Sequence, residues 1–264
     1  MVVFDAQFTE DYARDLLADI RAKTSSPIAY VVITHPNPDK FNGVEPFRLA
    51  GAEIVASEET ARAIPAVHAY KKSYFVGIGA FTDATYPPEA HVDTTFTGEI
   101  DLPLEGGARV HLATLDHSGV STTQTVAHIP AIGALVTGDL DHHRAHAWLE
   151  GGIRDGQPDP DLAAWSLALD ELKAYPGTTV FGGRGKSAPV EAAALAQQQY
   201  LLAMETLVAN YVASVPDPAD LSGPNAGEHY QNITDLAVAA FPERDLSYLV
   251  TYGVYGLVNA LAAP

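Results

Sequence analysis

The chain has 264 residues, 47% of them hydrophobic, enough to bury one substantial core or two small ones. Fifteen Lys and Arg against 33 Asp and Glu give a formal charge of −18, which opposes the phosphate neutralisation behind nucleic-acid affinity and excludes nucleic acid as a partner. There is no cysteine, so disulfides, thiolate nucleophiles and thiolate metal sites are excluded, and any transition metal must rest on His, Asp, Glu or Asn.

In residues 9–23 the apolar Ala13, Leu16, Leu17 and Ile20 recur at helical spacing behind an acidic first turn, which predicts an amphipathic helix. PIAYVVIT, residues 27–34, is a continuous apolar run that stops at His35, the pattern of a buried strand feeding a loop. GAEIVAS predicts a second strand, after which Ser57 caps a helix through residue 64, so residues 1–65 read in α, β, α, β, α order. Residues 98–115 and 124–138 alternate and are broken by EGG and PAIG, which predicts antiparallel strands joined by tight turns.

From residue 159 to residue 175 a helix returns, with Leu162, Trp165, Leu169 and Leu172 on one stripe. TTVFG predicts a strand leading into the glycine-rich GGRGK, and a long helix spans residues 189–213 with Pro189 in its first turn. Residues 215–228 are rich in Pro, Gly and acid and read as a linker, before an apolar helical tail carrying Tyr248, Leu249, Tyr252, Val254 and Leu257. The expected organisation is one domain over residues 1–213, with residues 214–264 a linker and tail packed on it. No apolar run reaches the 18 residues of a membrane span, and Asp5, Glu10, Asp11, Arg14, Asp15 and Asp19 stand where a leader would be apolar. The expectation is a cytoplasmic protein, or a mature form whose leader was removed, with no membrane partner.

Four blocks then share one resemblance. THPNPDKFNG, residues 34–43, resembles the H-x-H-x-D-H-x-x-G signature of the metallo-β-lactamase superfamily. LDHSG around His117, TGDL with Asp139, and GGRG with Arg184 follow at spacings of 82, 22 and 45 residues, and HIPAIGALVTGDLDHHRAHAWL is similar to a further stretch of that family. The resemblance covers most of residues 1–213 and implies an α/β fold, a four-layer αββα sandwich. Its N-terminal strands look shortened, since the chain begins just ahead of the "DAQF"-like segment at Asp5. An uncovered sheet edge would invite pairing with a second copy, so a homodimer is expected.

In the family, the signature histidines and aspartate are divided between two zinc sites. Here His35 and Asp39 are kept, while Asn37 replaces the second histidine, Lys40 the histidine after the aspartate, and Arg184 the last histidine. His35 and His117, with a weakly ligating amide from Asn37, are what is left of the first site; Asp39 and Asp139 are what is left of the second, each now beside a cation. A cation repels a metal but neutralises carboxylates that have lost one, so Lys40 and Arg184 are expected to replace the second zinc electrostatically. The resemblance implies a small carbonyl-bearing or anionic substrate and a hydrolase-like or lyase-like reaction. His35, His117 or Asp39 would act as base, Lys40 and Arg184 would hold developing negative charge, and no cofactor is expected.

Other readings stay open. A single zinc or other divalent ion on His35, His117 and Asp139 would make a mononuclear metallohydrolase, and without an insertion Val120 would take the place of His117. A noncatalytic binding or scaffolding relative would use the polar cluster only to hold loops together. Asp39 and Asp139 also fit carboxylates accepting backbone N–H bonds at strand ends, and Lys40 fits a solvated lysine. Asn37, with His142, His143 and His146 on a loop, reads as contacting substrate; on a helical turn, His142 and His146 would share a face at metal-binding spacing. His111 and His128 read as strand residues.

Overall fold

The structure, a computed structural model, describes residues 1–263. It comprises two compact units, the first made of residues 1–115, 122–132 and 155–157, the second of the remaining described residues.

The first unit opens with β1 (Val2–Phe4) and α1 (Glu10–Lys23), where the Thr9 side chain accepts the Tyr12 N–H as an N-cap. Then come β2 (Tyr30–Val32), the short α2 (Pro38–Phe41) and α3 (Val44–Leu49), β3 (Glu53–Ser57), α4 (Glu58–Gly77) and β4 (Thr94–Phe96). These four strands form one parallel sheet in the order β1-β2-β3-β4. Strands of a parallel sheet are covered on both faces, which is why Val31, Val32, Ile54 and Val55 are all fully buried and read as unbroken apolar runs. Thus the chain starts with a strand, β1, correcting the α-first order expected of residues 1–65; three residues are too few to show a period. Helix α4 also runs on past residue 64, through Pro65, which lies on its exposed side. The unit closes with β5 (Glu99–Pro103), β6 (Arg109–Thr114) and β7 (Thr125–Ile129), antiparallel neighbours as the alternation predicts.

The second unit contains β8 (Ala134–Gly138), β9 (Gly152–Arg154), β10 (Gln157–Asp159, whose first residue belongs to the first unit), α5 (Leu162–Glu171), β11 (Thr179–Gly182), β12 (Ala188–Pro189) and α6 (Val190–Ser214). Asp161 caps α5 by accepting the Ala164 N–H. Strand β11 runs parallel to β8, with an irregular register at Phe181 and Gly182 just before the GGRG turn. Its core gathers Trp165, Leu169, Tyr200, Leu201, Met204 and Val208 from α5 and α6. The segment read as a linker instead holds a 3-10 turn over Pro218–Ser222 and the start of α7 (Ala226–Ala240), and the tail folds as α8 (Tyr248–Gly253) and α9 (Tyr255–Ala262). Both α7 and α9 pack on α6. No described helix is long and apolar enough to cross a membrane.

Candidate functional site

In the first unit the signature lies on the turn after β2 and on α2. Asp5 follows β1 in the left-handed region (φ 63°), a conformation that Asp tolerates better than most side chains. That bend brings its carboxylate to Thr34, whose N–H and hydroxyl both lie 2.9 Å from Oδ1. The hydroxyl has one proton, and an ionised carboxylate can only accept it. Thr34 Oγ1 must therefore accept from His35 Nδ1, 2.9 Å away, which puts the imidazole lone pair on Nε2. His35 is fully enclosed.

Asn37 occupies the N-cap position of α2, where its side chain makes no capping hydrogen bond, and is buried. One turn on, Lys40 is 4% exposed, with Nζ 2.9 Å from Asp39 Oδ2 and 3.9 Å from Asp5 Oδ2. A lysine this enclosed stays charged only because carboxylates compensate for its lost hydration. Its backbone carbonyl also receives the Ala6 N–H, fixing α2 against the residues that follow β1. Lys40 is thus no solvated surface lysine.

In the second unit, Asp139 follows β8 and is 1% exposed; the guanidinium of Arg184 donates to its Oδ2. Glycine is required around this pair. A Cβ at Gly183 would strike the Asp139 carboxylate, and Gly185, at φ 88°, leaves no room for one against the His143 carbonyl. The N–H of Lys186 donates to that same carbonyl at 2.8 Å, joining the Arg184 loop to residues 141–146. His117 is anchored elsewhere in this unit. Glu171 of α5 lies 2.8 Å from its Nδ1 and accepts the N–H groups of Asp116 and His117, while Val120 is fully buried.

Residues 141–146 form no helical turn, since Arg144 adopts φ 61°, so His142 and His146 do not share a helix face. Both rings are fully buried instead of lining an open loop, and only His143 is partly exposed. His146 Nδ1 meets the Tyr200 hydroxyl at 3.1 Å, and burial pushes the imidazole down to about 4. Burial likewise pushes Asp141 up to about 6, against the His143 N–H and the Arg244 charge, which favour its ionised form. Arg244 was not singled out in the sequence. It donates to the carbonyls of His142 (3.1 Å), Ala145 (2.6 Å) and Ala196 (3.1 Å), with its guanidinium carbon 4.0 Å above the Tyr200 ring.

Of the strand histidines, His111 pairs with Asp101 and stands opposite His128 across the β6–β7 ladder. Among the described residues, no group of three or more His, Asp or Glu side chains is placed to hold a metal ion.

Residues 2–184 match the model of a family described as the metallo-beta-lactamase superfamily. Among solved structures, the chain is similar to a metallo-beta-lactamase from Pontibacter korlensis at 20% identity, covering 76% of this chain and 81% of that one with a TM-score of 0.54. The metallo-beta-lactamase FIM-1 from Pseudomonas aeruginosa, solved in a mono-zinc form, matches at 17% identity over 76% and 80% of the two chains, TM-score 0.54. The sec-alkyl sulfatase PisA1 matches at 14% identity over 83% of this chain and 40% of that one, TM-score 0.59. No curated protein matches the sequence. At these identities the structural likeness shows the fold, the α/β sandwich implied by the four sequence blocks.

Proposed function

The chain belongs to the metallo-β-lactamase superfamily, and from that premise we propose that it is a hydrolase-like enzyme in which Lys40 and Arg184 do the electrostatic work of the second zinc. The observation that carries the reading is the pairing of both cations with the acids of the signature, Lys40 with Asp39 and Arg184 with Asp139. A metal needs those oxygens and would meet a positive charge at each, so the donor set does not fit a di-zinc centre. A structural replacement for lost ligands would more simply be small or apolar, since buried charges are costly to keep.

The chemistry then rests on the side chains. His35, oriented through Thr34 and Asp5, is the proton acceptor through Nε2, and Asp39, paired with Lys40, is the signature carboxylate. Lys40 in the first unit and Arg184 in the second are the cations that would each hold negative charge on a carbonyl or anionic substrate. His117 supplies a second imidazole, oriented by Glu171. His143 is the histidine of its loop best placed for substrate contact, while His142 and His146 support that loop from beneath.

The test is turnover of a panel of lactones, thioesters, esters and sulfate esters before and after exhaustive chelation. The reading requires activity that survives chelator and is lost in Lys40→Ala and Arg184→Ala. Activity that vanishes with chelator and returns with zinc supports instead a mononuclear centre on His35, His117 and Asp139. No turnover across the panel supports a noncatalytic relative. A homodimer through the edge of β1 would rest on that strand's three residues; light scattering decides it, a two-chain mass supporting the pairing and a one-chain mass removing it.

A further inference from the structure

Within the first unit, two residues that are not glycine occupy the left-handed region on either side of Ala6, Asp5 at φ 63° and Gln7 at φ 79°. Such conformations persist only where their surroundings hold them, and they gather at functional sites. The surroundings here are the signature. The Asp5 N–H donates to the Val32 carbonyl at 2.9 Å, the Ala6 N–H to the Lys40 carbonyl at 2.9 Å and the Gly43 N–H to the Gln7 carbonyl at 3.0 Å. Gly43 is required by this close approach, because a Cβ there would strike the Ala6 carbonyl and the Ala13 side chain. Gln7 is exposed, so the bend does not serve to bury its side chain. What the bend places is the Asp5 carboxylate. Its Oδ1 receives the Thr34 N–H and hydroxyl, each at 2.9 Å, and its Oδ2 lies 3.0 Å from that hydroxyl and 3.9 Å from Lys40 Nζ.

We infer that Asp5, 29 residues upstream of Thr34, is a positioning residue of the signature: one carboxylate sets the tautomer of His35 through Thr34 and at the same time compensates the enclosed Lys40. The Thr34 hydroxyl has a single proton, and its direction decides which ring nitrogen of His35 is bare. With the Asp5 carboxylate in place that proton points away from the ring, so Nδ1 donates and Nε2 keeps the lone pair. Without the carboxylate the hydroxyl turns and donates to Nδ1, and the ring carries its proton on Nε2 instead. The lone pair then faces Thr34, and His35 loses the atom that would accept a proton from substrate. This catalytic consequence rests on the proposed reading of His35 as the base, whereas the tautomer does not.

The experiment uses the full-length chain labelled with nitrogen-15 histidine at about pH 8, where the nitrogen shifts of a neutral imidazole separate the protonated from the bare ring nitrogen, and His35→Gln identifies the His35 signals. The Nδ1-protonated form is expected to exceed the other about tenfold or more in the parent and in Thr34→Ser, which keeps the hydroxyl, and to lose that excess in Thr34→Val and Asp5→Gly. Glycine suits φ 63°, so Asp5→Gly removes the carboxylate while keeping the bend, and Thr34→Val breaks the same relay with Asp5 untouched. A His35 that stays Nδ1-protonated in both variants, or that carries its proton on Nε2 in the parent, would overturn the inference. On a substrate turned over by the parent, kcat of Asp5→Gly is expected to fall about tenfold or more with KM little changed. An altered tautomer with unchanged kcat would uphold the positioning role and remove His35 as the base.

Discussion

The guanidinium of Arg184 donates to the carboxylate of Asp139, an acid that is 1% exposed at the end of β8. Removing that guanidinium leaves a buried carboxylate short of its counter-charge. Because Arg184 itself is partly exposed, we expect Arg184→Ala to cost about 2 to 3 kcal/mol, below the upper range for fully buried pairs, and Arg184→Lys to cost less. Urea unfolding reads both. An alanine variant as stable as the parent would show that the pair contributes nothing to neutralising Asp139.

Arg244 holds three backbone carbonyls of the second unit, two of them in residues 142–145. Arg244→Ala leaves those acceptors without their donor and exposes the Tyr200 ring, so a loss of about 3 kcal/mol is expected, with faster amide exchange at His146, whose N–H is bonded to the neighbouring Asp245 carbonyl. Unchanged exchange at His146 would remove the clamp assigned to this arginine.

The two buried acid–base groups of residues 141–146 act in opposite directions. His146 has its folded value lowered from 6.5 to about 4, so the stability it contributes is present above 6.5 and is lost as pH falls through 4. Asp141 has its folded value raised from 3.8 to about 6, so its contribution is present below 3.8 and is lost as pH rises through 6. Each effect is on the order of 3 kcal/mol, and between pH 4 and 6 they oppose each other. His146→Asn is expected to flatten the acid-side loss, and Asp141→Asn to stabilise the protein at pH 7 but not at pH 3.5. Thermal melts across that range check both, and parallel curves for parent and variants would contradict the assignment.

The fold was legible because four short blocks keep their order and because buried parallel strands leave unbroken runs such as AYVVI. The opening strand was not, since three residues carry no measurable period, and the length of α4 was hidden by Pro65, whose exposed side of the helix no sequence rule announces. At the candidate site, Lys40 and Arg184 stood out because a cation replaced a histidine. Arg244 could not, because its partners are backbone carbonyls 48 to 102 residues away and nothing in a sequence marks a carbonyl as an acceptor. The triplet of histidines in DLDHHRAHAWL pointed outward on composition alone, yet His142 and His146 are buried where Arg144 turns the chain and His146 meets Tyr200.

Returning the signature to histidine should return its chemistry. The triple variant Asn37→His, Lys40→His, Arg184→His removes both cations and frees Asp39 and Asp139 as ligands, so zinc affinity by calorimetry is expected to rise about tenfold or more over the parent. No gain would mean that something besides these three positions keeps metal away.

The account turns on charge balance at Asp39 and Asp139, and zinc content measures it most directly. Plasma mass spectrometry of protein purified without chelator, and again after incubation with zinc and desalting, is predicted to find no stoichiometric second zinc in either sample. Two zinc ions bound per chain would contradict it, because Lys40 and Arg184 would then have to leave the acids they hold.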